Sequence, residues 1–164
     1  MGGVLPLYYW PPVAWLEEAA RLRAFAVGYP ARLPRSSYYY RCYLPAQGWL
    51  SIPLRRDSRK SPWQATWPPD SRWKLYHFKV IQTLYGKAPF FLEWKPLLDE
   101  IYQTDTYQTL AQVAWRIIQE IALGHGWKVS LSQTGVPLSL QAGLEGKGSS
   151  LDRLLRVGVG AGGL

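Results

Sequence analysis

Few side chains in this chain are suited to chemistry, and they lie far apart in sequence. His77 is one of two histidines. An imidazole titrates near neutral pH and could act as a general base, or it could simply bond a neighbouring hydroxyl or carbonyl in the core. Arg41 stands in an otherwise tyrosine-rich run, Tyr38-Tyr39-Tyr40-Arg41-Cys42-Tyr43-Leu44. A guanidinium there must reach an edge or an anion. It could grip a phosphate or carboxylate with two parallel N–H bonds, or form an ion pair with Asp152, Glu93 or Asp99. Asp152 could in turn pair with Arg41 or His77, or simply place negative charge at the start of a short helix. Cys42 is the sole cysteine. No base can be placed beside it, so inert packing is the better reading than a nucleophile.

Several familiar constellations are missing. The run Gly158-Val159-Gly160-Ala161-Gly162-Gly163 lacks the helix that must follow a dinucleotide fingerprint. There is no phosphate loop, no HExxH and no GxSxG. One cysteine and two histidines without ligand spacing argue against structural zinc and against an internal disulfide. No cofactor or metal is expected.

The elements that position these residues follow from periodicity. Trp73, Tyr76, His77, Val80, Ile81, Leu84 and Tyr85 make one stripe of a helix over about 72–85, with His77 set inside it. Asp70 or Ser71 can cap its start, and Gly86 can end it in the left-handed conformation. Upstream, Val4–Tyr9, a helix over 13–23 and Ala24–Val27 predict a strand–helix–strand opening. Tyr38–Leu44 and Gly48–Leu54 read as a hairpin around Pro45–Gly48, and Trp63–Trp67 as a further edge strand. Downstream, Pro96 suits the first turn of a helix, and Leu110, Val113, Ala114, Ile117, Ile118 and Ile121 form a second stripe ended by Gly124. Lys128–Ser132 is a last strand, and Ser149 caps a short helix through Arg156. The expected fold is therefore α/β: a single domain over 1–164 with a mixed sheet of about five strands and packed helices, mainly helical in its C-terminal half. It divides into a strand-rich part (1–70), a helical part (71–125) and a C-terminal strand and short helix (126–164).

The charge balance of +8 points to anionic partners. Its one dense cluster, Arg55-Arg56-Asp57-Ser58-Arg59-Lys60, reads as a solvated loop, which disfavours nucleic acid as the partner. Neither a leader peptide nor an apolar run of ~18 residues is present, so a soluble cytoplasmic protein without a membrane span is expected.

Five segments, in order, resemble the WbqC-like family, especially its Bacteroidetes branch. Leu5-Pro6-Leu7-Tyr8-Tyr9 is similar to the family's L-P-x-x-Y opening, and Tyr38-x-x-Arg41-Cys42 to its Y-R-N-R-C strand. Leu50-Ser51-Ile52-Pro53-Leu54 is similar to its L-S-I-P-V strand. Trp73-x-x-x-His77 with Tyr85-x-x-Ala88-Pro89-Phe90-Phe91 resembles W-x-x-x-H then Y-x-x-x-P-F-F. Leu151-Asp152-Arg153-Leu154-Leu155 and Gly158 resemble the L-D-L-L-F-N-E-G close. The resemblance implies transfer of an aminoacyl or acyl group onto a sugar or nucleotide-sugar in surface-polysaccharide (O-antigen) biosynthesis. On it, His77 and Asp152 are the expected catalytic residues. Arg41, Trp73, Tyr85 and Tyr8 are expected to bind substrate, a nucleotide-sugar or other anionic small molecule. Tyr39, Tyr40 and Arg156 depart from the family pattern. Two alternatives stand beside the transferase: a non-catalytic subunit of a larger protein assembly, using Tyr, Trp and Arg surface, and an RNA- or polyanion-binding protein.

Overall fold

The chain opens with the strand–helix–strand unit that its sequence predicts. In the computed structural model, which describes residues 3–58, 60–146 and 148–159, β1 (Gly3–Pro6) and β2 (Ala24–Gly28) run parallel, joined by α1 (Val13–Leu22). Pro6, with no N–H, ends β1 at the edge of the sheet. The Trp15 indole N–H donates to the Pro6 carbonyl at 2.9 Å, and its ring meets the Phe25 ring edge-on, which fastens α1 to both strands. β5 (Lys128–Ser132) pairs parallel to the other side of β2, giving the order β1-β2-β5. β3 (Arg41–Leu44) and β4 (Gly48–Ser51) form a separate antiparallel hairpin. Among the described residues the five strands thus occupy two sheets, and the α/β class holds.

The helices are α2 (Trp73–Tyr85), α3 (Phe91–Tyr102), α4 (Leu110–His125), α5 (Leu138–Leu144) and α6 (Ser150–Arg156). α4 is the best specified. The Thr109 hydroxyl accepts from the Gln112 N–H while the Gln112 side chain accepts from the Thr109 N–H, and Leu110, Val113, Ala114, Ile117, Ile118 and Ile121 are all buried. α3 packs on α2 and α4, and α6 packs on α2 and α3.

Local expectations fail where glycine and proline have other duties. Gly86 stays right-handed (φ −57). Gly124 lies inside α4, and Gly126 (φ 75) supplies the left-handed stop. α3 starts five residues before Pro96, because Trp94, Leu97, Leu98 and Ile101 bury a stripe that outweighs the one hydrogen bond proline removes. Trp63–Trp67 is not a strand. The Gln64 and Ala65 N–H groups turn back onto the Ser61 carbonyl at 3.0 and 2.9 Å. Tyr38–Tyr40 form a turn ahead of β3, and α5 was not anticipated at all. Arg59 and Gly160–Gly163 lie outside the described residues.

The C-terminal segment is docked by a close approach. The Phe90 N–H donates to the Leu155 carbonyl at 3.0 Å, and a Cβ at Gly158 (φ 87) would sit 2.8 Å from Phe90 Cζ. Gly158→Ala therefore combines left-handed strain with a clash and should cost about 1–3 kcal/mol. Calorimetry would show melting lowered by roughly 2–4 °C for each kcal/mol. An unchanged melting temperature would refute this docking.

Candidate functional site

His77 is 1% exposed, and both ring nitrogens are engaged. Nε2 lies 3.0 Å from the Ser51 carbonyl and Nδ1 lies 2.8 Å from the Tyr9 hydroxyl. A carbonyl can only accept, so Nε2 carries the proton and Nδ1 accepts from Tyr9. With its own proton committed, the Tyr9 oxygen accepts from the Tyr102 hydroxyl. The Tyr102 oxygen accepts in turn from the Trp10 indole N–H at 2.9 Å. An obligate donor at one end and an obligate acceptor at the other set every proton in the chain. Burial pushes the His77 pKa down to about 4, against the pull of the Ser51 carbonyl, so the ring is neutral. Trp73 closes the cluster, edge-on to Tyr9, His77 and Tyr102.

The other expected site residues go elsewhere. Tyr85 is on the helix of His77 but eight residues on, about 12 Å along the axis. Its hydroxyl donates to Asp152 at 2.7 Å, and the same carboxylate oxygen accepts from Arg156 Nε at 3.0 Å. The Arg156 guanidinium lies over the Tyr85 ring. Asp152 therefore pairs with neither Arg41 nor His77, although Ser149 caps its N–H as the sequence predicts. Tyr8 is buried, and its hydroxyl donates to Glu145 at 2.9 Å. Cys42 is buried in the core, which holds its thiol far above the usual range. Arg41 forms no ion pair with Asp152, Glu93 or Asp99.

Arg41 instead opens onto a cleft of about 960 Å³ with Arg32, Arg35, Arg56, Tyr40, Ser36 and Ser51 in its wall. The position follows from the topology. Arg32 and Arg35 lie on the loop that leaves the carboxyl end of β2, the end of a parallel sheet at which α/β proteins hold ligands. Buried Leu33 anchors that loop, and its N–H donates to the Lys60 carbonyl at 2.8 Å, which brings the Arg56 loop alongside. The Ile52 N–H donates to the Tyr40 carbonyl at 2.8 Å, joining the entry of β3 to the exit of β4. Ser36 holds φ 48 in the cleft wall, and Trp10 holds φ 42 at the head of the hydrogen-bond chain. Such left-handed backbone outside glycine tends to gather at functional sites. Among the described residues no carboxylate lines the cleft, and none pairs with its four arginines.

His77 touches this cleft only through Ser51, whose carbonyl it holds from behind. Sequence reasoning missed Tyr9, Tyr102 and Trp10, and it took Arg56 for part of a solvated run. The signal for Tyr9 was present, since the L-P-x-x-Y opening ends on Tyr9 and not Tyr8. Of the departures from the family pattern, Tyr40 falls in the cleft wall, Tyr39 is buried, and Arg156 joins Asp152.

An α/β domain with an arginine-lined cleft at the carboxyl end of its parallel strands is the class of protein these features define. The chain belongs to the WbqC-like protein family, whose family model matches residues 7–157. Searches among curated proteins and among solved structures found no match. No helix among the described residues is long and apolar enough to cross a membrane.

An unfolded chain protonates His77 near pH 6.5, whereas the folded chain does so only near 4. Between these values the unfolded state binds more protons, so stability falls as pH drops, by roughly 3 kcal/mol in all. The difference in urea stability between wild type and His77→Gln should shrink by that amount from pH 7 to 4. A difference independent of pH would contradict the buried neutral ring. Tyr9→Phe, which leaves His77 Nδ1 without its donor, should cost about 1–3 kcal/mol at neutral pH. Stability equal to wild type in urea would remove Tyr9 from the chain.

Proposed function

We propose that this protein binds an anionic sugar derivative in the arginine cleft and acts there as a transferase of the family's suggested kind. It would move an aminoacyl or acyl group onto a sugar or nucleotide-sugar in surface-polysaccharide (O-antigen) biosynthesis. The observation that carries the binding reading is the cleft itself: four guanidinium groups without carboxylate partners around a ligand-sized volume. Family membership supports the transfer reading. Arg41 is the proposed anion ligand. His77 is proposed as a positioning residue, because its protons are committed inside the protein and it reaches the cleft only through the Ser51 carbonyl. Trp73 packs that ring, and Tyr85 with Asp152 holds α6 in place rather than contacting substrate.

One observation favours a second reading, a non-catalytic binding subunit. The described cleft wall offers hydroxyls and guanidinium groups but no carboxylate or imidazole that could take a proton near neutral pH. That reading expects a stable protein partner on purification and no turnover with any acyl donor.

A thermal-shift series with nucleotide-sugars, sugar acids and heparin tests the binding reading. A ligand at ~100 times its Kd should stabilise by about 2.7 kcal/mol, or several degrees. Arg41→Ala and the pair Arg32→Ala with Arg35→Ala should each abolish most of that shift while the unliganded melting temperature stays near wild type. No shift with any of these anions, or a full shift in the arginine variants, would overturn it. A shift with heparin alone, steeply salt-dependent, would reassign the cleft to a polyanion.

A further inference from the structure

Cross-strand pairing sets two residue pairs on the outer face of the hairpin, Arg41 opposite Ser51 and Tyr43 opposite Trp49. Alternation along each strand turns these four outward and turns Cys42, Leu44 and Leu50 into the core. On this face the Arg41 guanidinium lies over the Trp49 ring, 3.9 Å from its centroid. The indole is itself wedged, with Tyr38 and Tyr43 both edge-on at 5.3 Å. A stacked guanidinium loses freedom to rotate yet keeps its in-plane N–H groups for an anion. Among the described residues Arg41 Nε is buried without a hydrogen-bond partner, on a side chain that lines the cleft. The terminal nitrogens of Arg41, which are not buried in this way, are the donors left for an oxygen atom in the cleft. Arg32, Arg35 and Arg56 differ, being exposed side chains, the first two on a loop and Arg56 at the start of a 3-10 turn (Arg56–Ser58).

We propose, building on the anion-binding reading above, that the cleft takes a diphosphate ester, with Trp49 as the positioning residue that selects it. One phosphoryl group is gripped end-on by Arg41, whose two terminal nitrogens present parallel donors. The second is neutralised by Arg32, Arg35 and Arg56. A lone carboxylate would occupy Arg41 and leave three cations facing one another, whereas two linked phosphoryl groups give the four guanidinium groups enough negative charge and oxygen acceptors. Trp49 acts through Arg41 and touches no substrate. Its contribution is to hold the fork at one angle.

Isothermal titration with inorganic phosphate, pyrophosphate, acetate and a short single-stranded RNA tests this. Pyrophosphate should bind at least roughly tenfold more tightly than phosphate or acetate, a difference of about 1.4 kcal/mol. Trp49→Leu should weaken pyrophosphate about tenfold, Trp49→Phe should stay within about threefold of wild type, and Arg41→Lys should lose as much as Trp49→Leu. The double variant Trp49→Leu/Arg41→Lys should bind no more weakly than Arg41→Lys alone, since the two residues act as one unit. Circular dichroism checks each fold, and if Trp49→Leu does not fold, the same cycle is run with Trp49→Val, which also removes the aromatic face. Phosphate or acetate binding as tightly as pyrophosphate would overturn the diphosphate. Wild-type affinity in Trp49→Leu, or additive losses in the double variant, would overturn the role of Trp49. RNA displacing pyrophosphate would give the cleft to nucleic acid. If wild type binds none of these anions, the anion-binding reading itself falls.

Discussion

The hydrogen-bond chain from the Trp10 indole to the Ser51 carbonyl is the constraint on which the rest of the structure depends. Its members come from four places: the turn after β1 (Tyr9, Trp10), the end of α3 (Tyr102), the middle of α2 (His77) and the last residue of β4 (Ser51). Its side chains from Trp10 to His77 are buried, with Ser51 alone exposed, and a buried donor or acceptor left unpaired costs about 1–3 kcal/mol. Removing one member therefore leaves its neighbours in the chain unpaired. Its partners hold the parallel sheet, the hairpin and the helical half in one register, and the left-handed backbone at Trp10 is retained because its indole has only this partner to donate to.

The family's segments sort into two assemblies when placed on this frame. The opening ending at Tyr9, the Ser51 strand and the Trp73–His77 pair meet in the buried chain behind the cleft. Tyr85, the Phe90 turn, Asp152 and Gly158 meet at the other end of α2, where they dock α6. Both assemblies are held by contacts within the chain. The groups that face a ligand-sized space are Arg41, from the family's strand motif, and Arg32, Arg35 and Arg56, from loops that no motif marked. In the proposed reading, arginine supported on packed aromatic rings carries recognition, and the histidine acts one residue behind the surface.

Much of the fold was legible because it is written in short-range pattern. The stripe of α4, the span of α2, the opening strand–helix–strand unit and the Ser149 cap all follow from short-range spacing, although in α2 the expected Tyr76 is exposed and Phe78 is buried instead. The errors came where tertiary contacts decide. Gly124 and Gly126 are equally good helix stops by composition, and only docking selects Gly126. Pro96 lies mid-helix because the apolar face of α3 extends on both sides of it. At the site, Arg41 and the importance of His77 could be read from residue type and setting. That Asp152 belongs with Tyr85 could not, since 67 residues separate them in sequence. The meeting of the Arg32–Arg35 loop with the Arg56 segment rests on the backbone bond from Leu33 to Lys60 and on the Tyr29–Trp63 ring contact, both between residues distant in sequence.

The protonation state of His77 bears most directly on this account. Long-range ¹⁵N–¹H spectra of the imidazole report which nitrogen carries the proton and whether it titrates. The account predicts the Nε2–H tautomer, unchanged between about pH 5 and 8, with protonation only near 4. A ring that titrates near 6.5, or that exchanges between tautomers, would contradict it and would return His77 to the role of a base open to substrate.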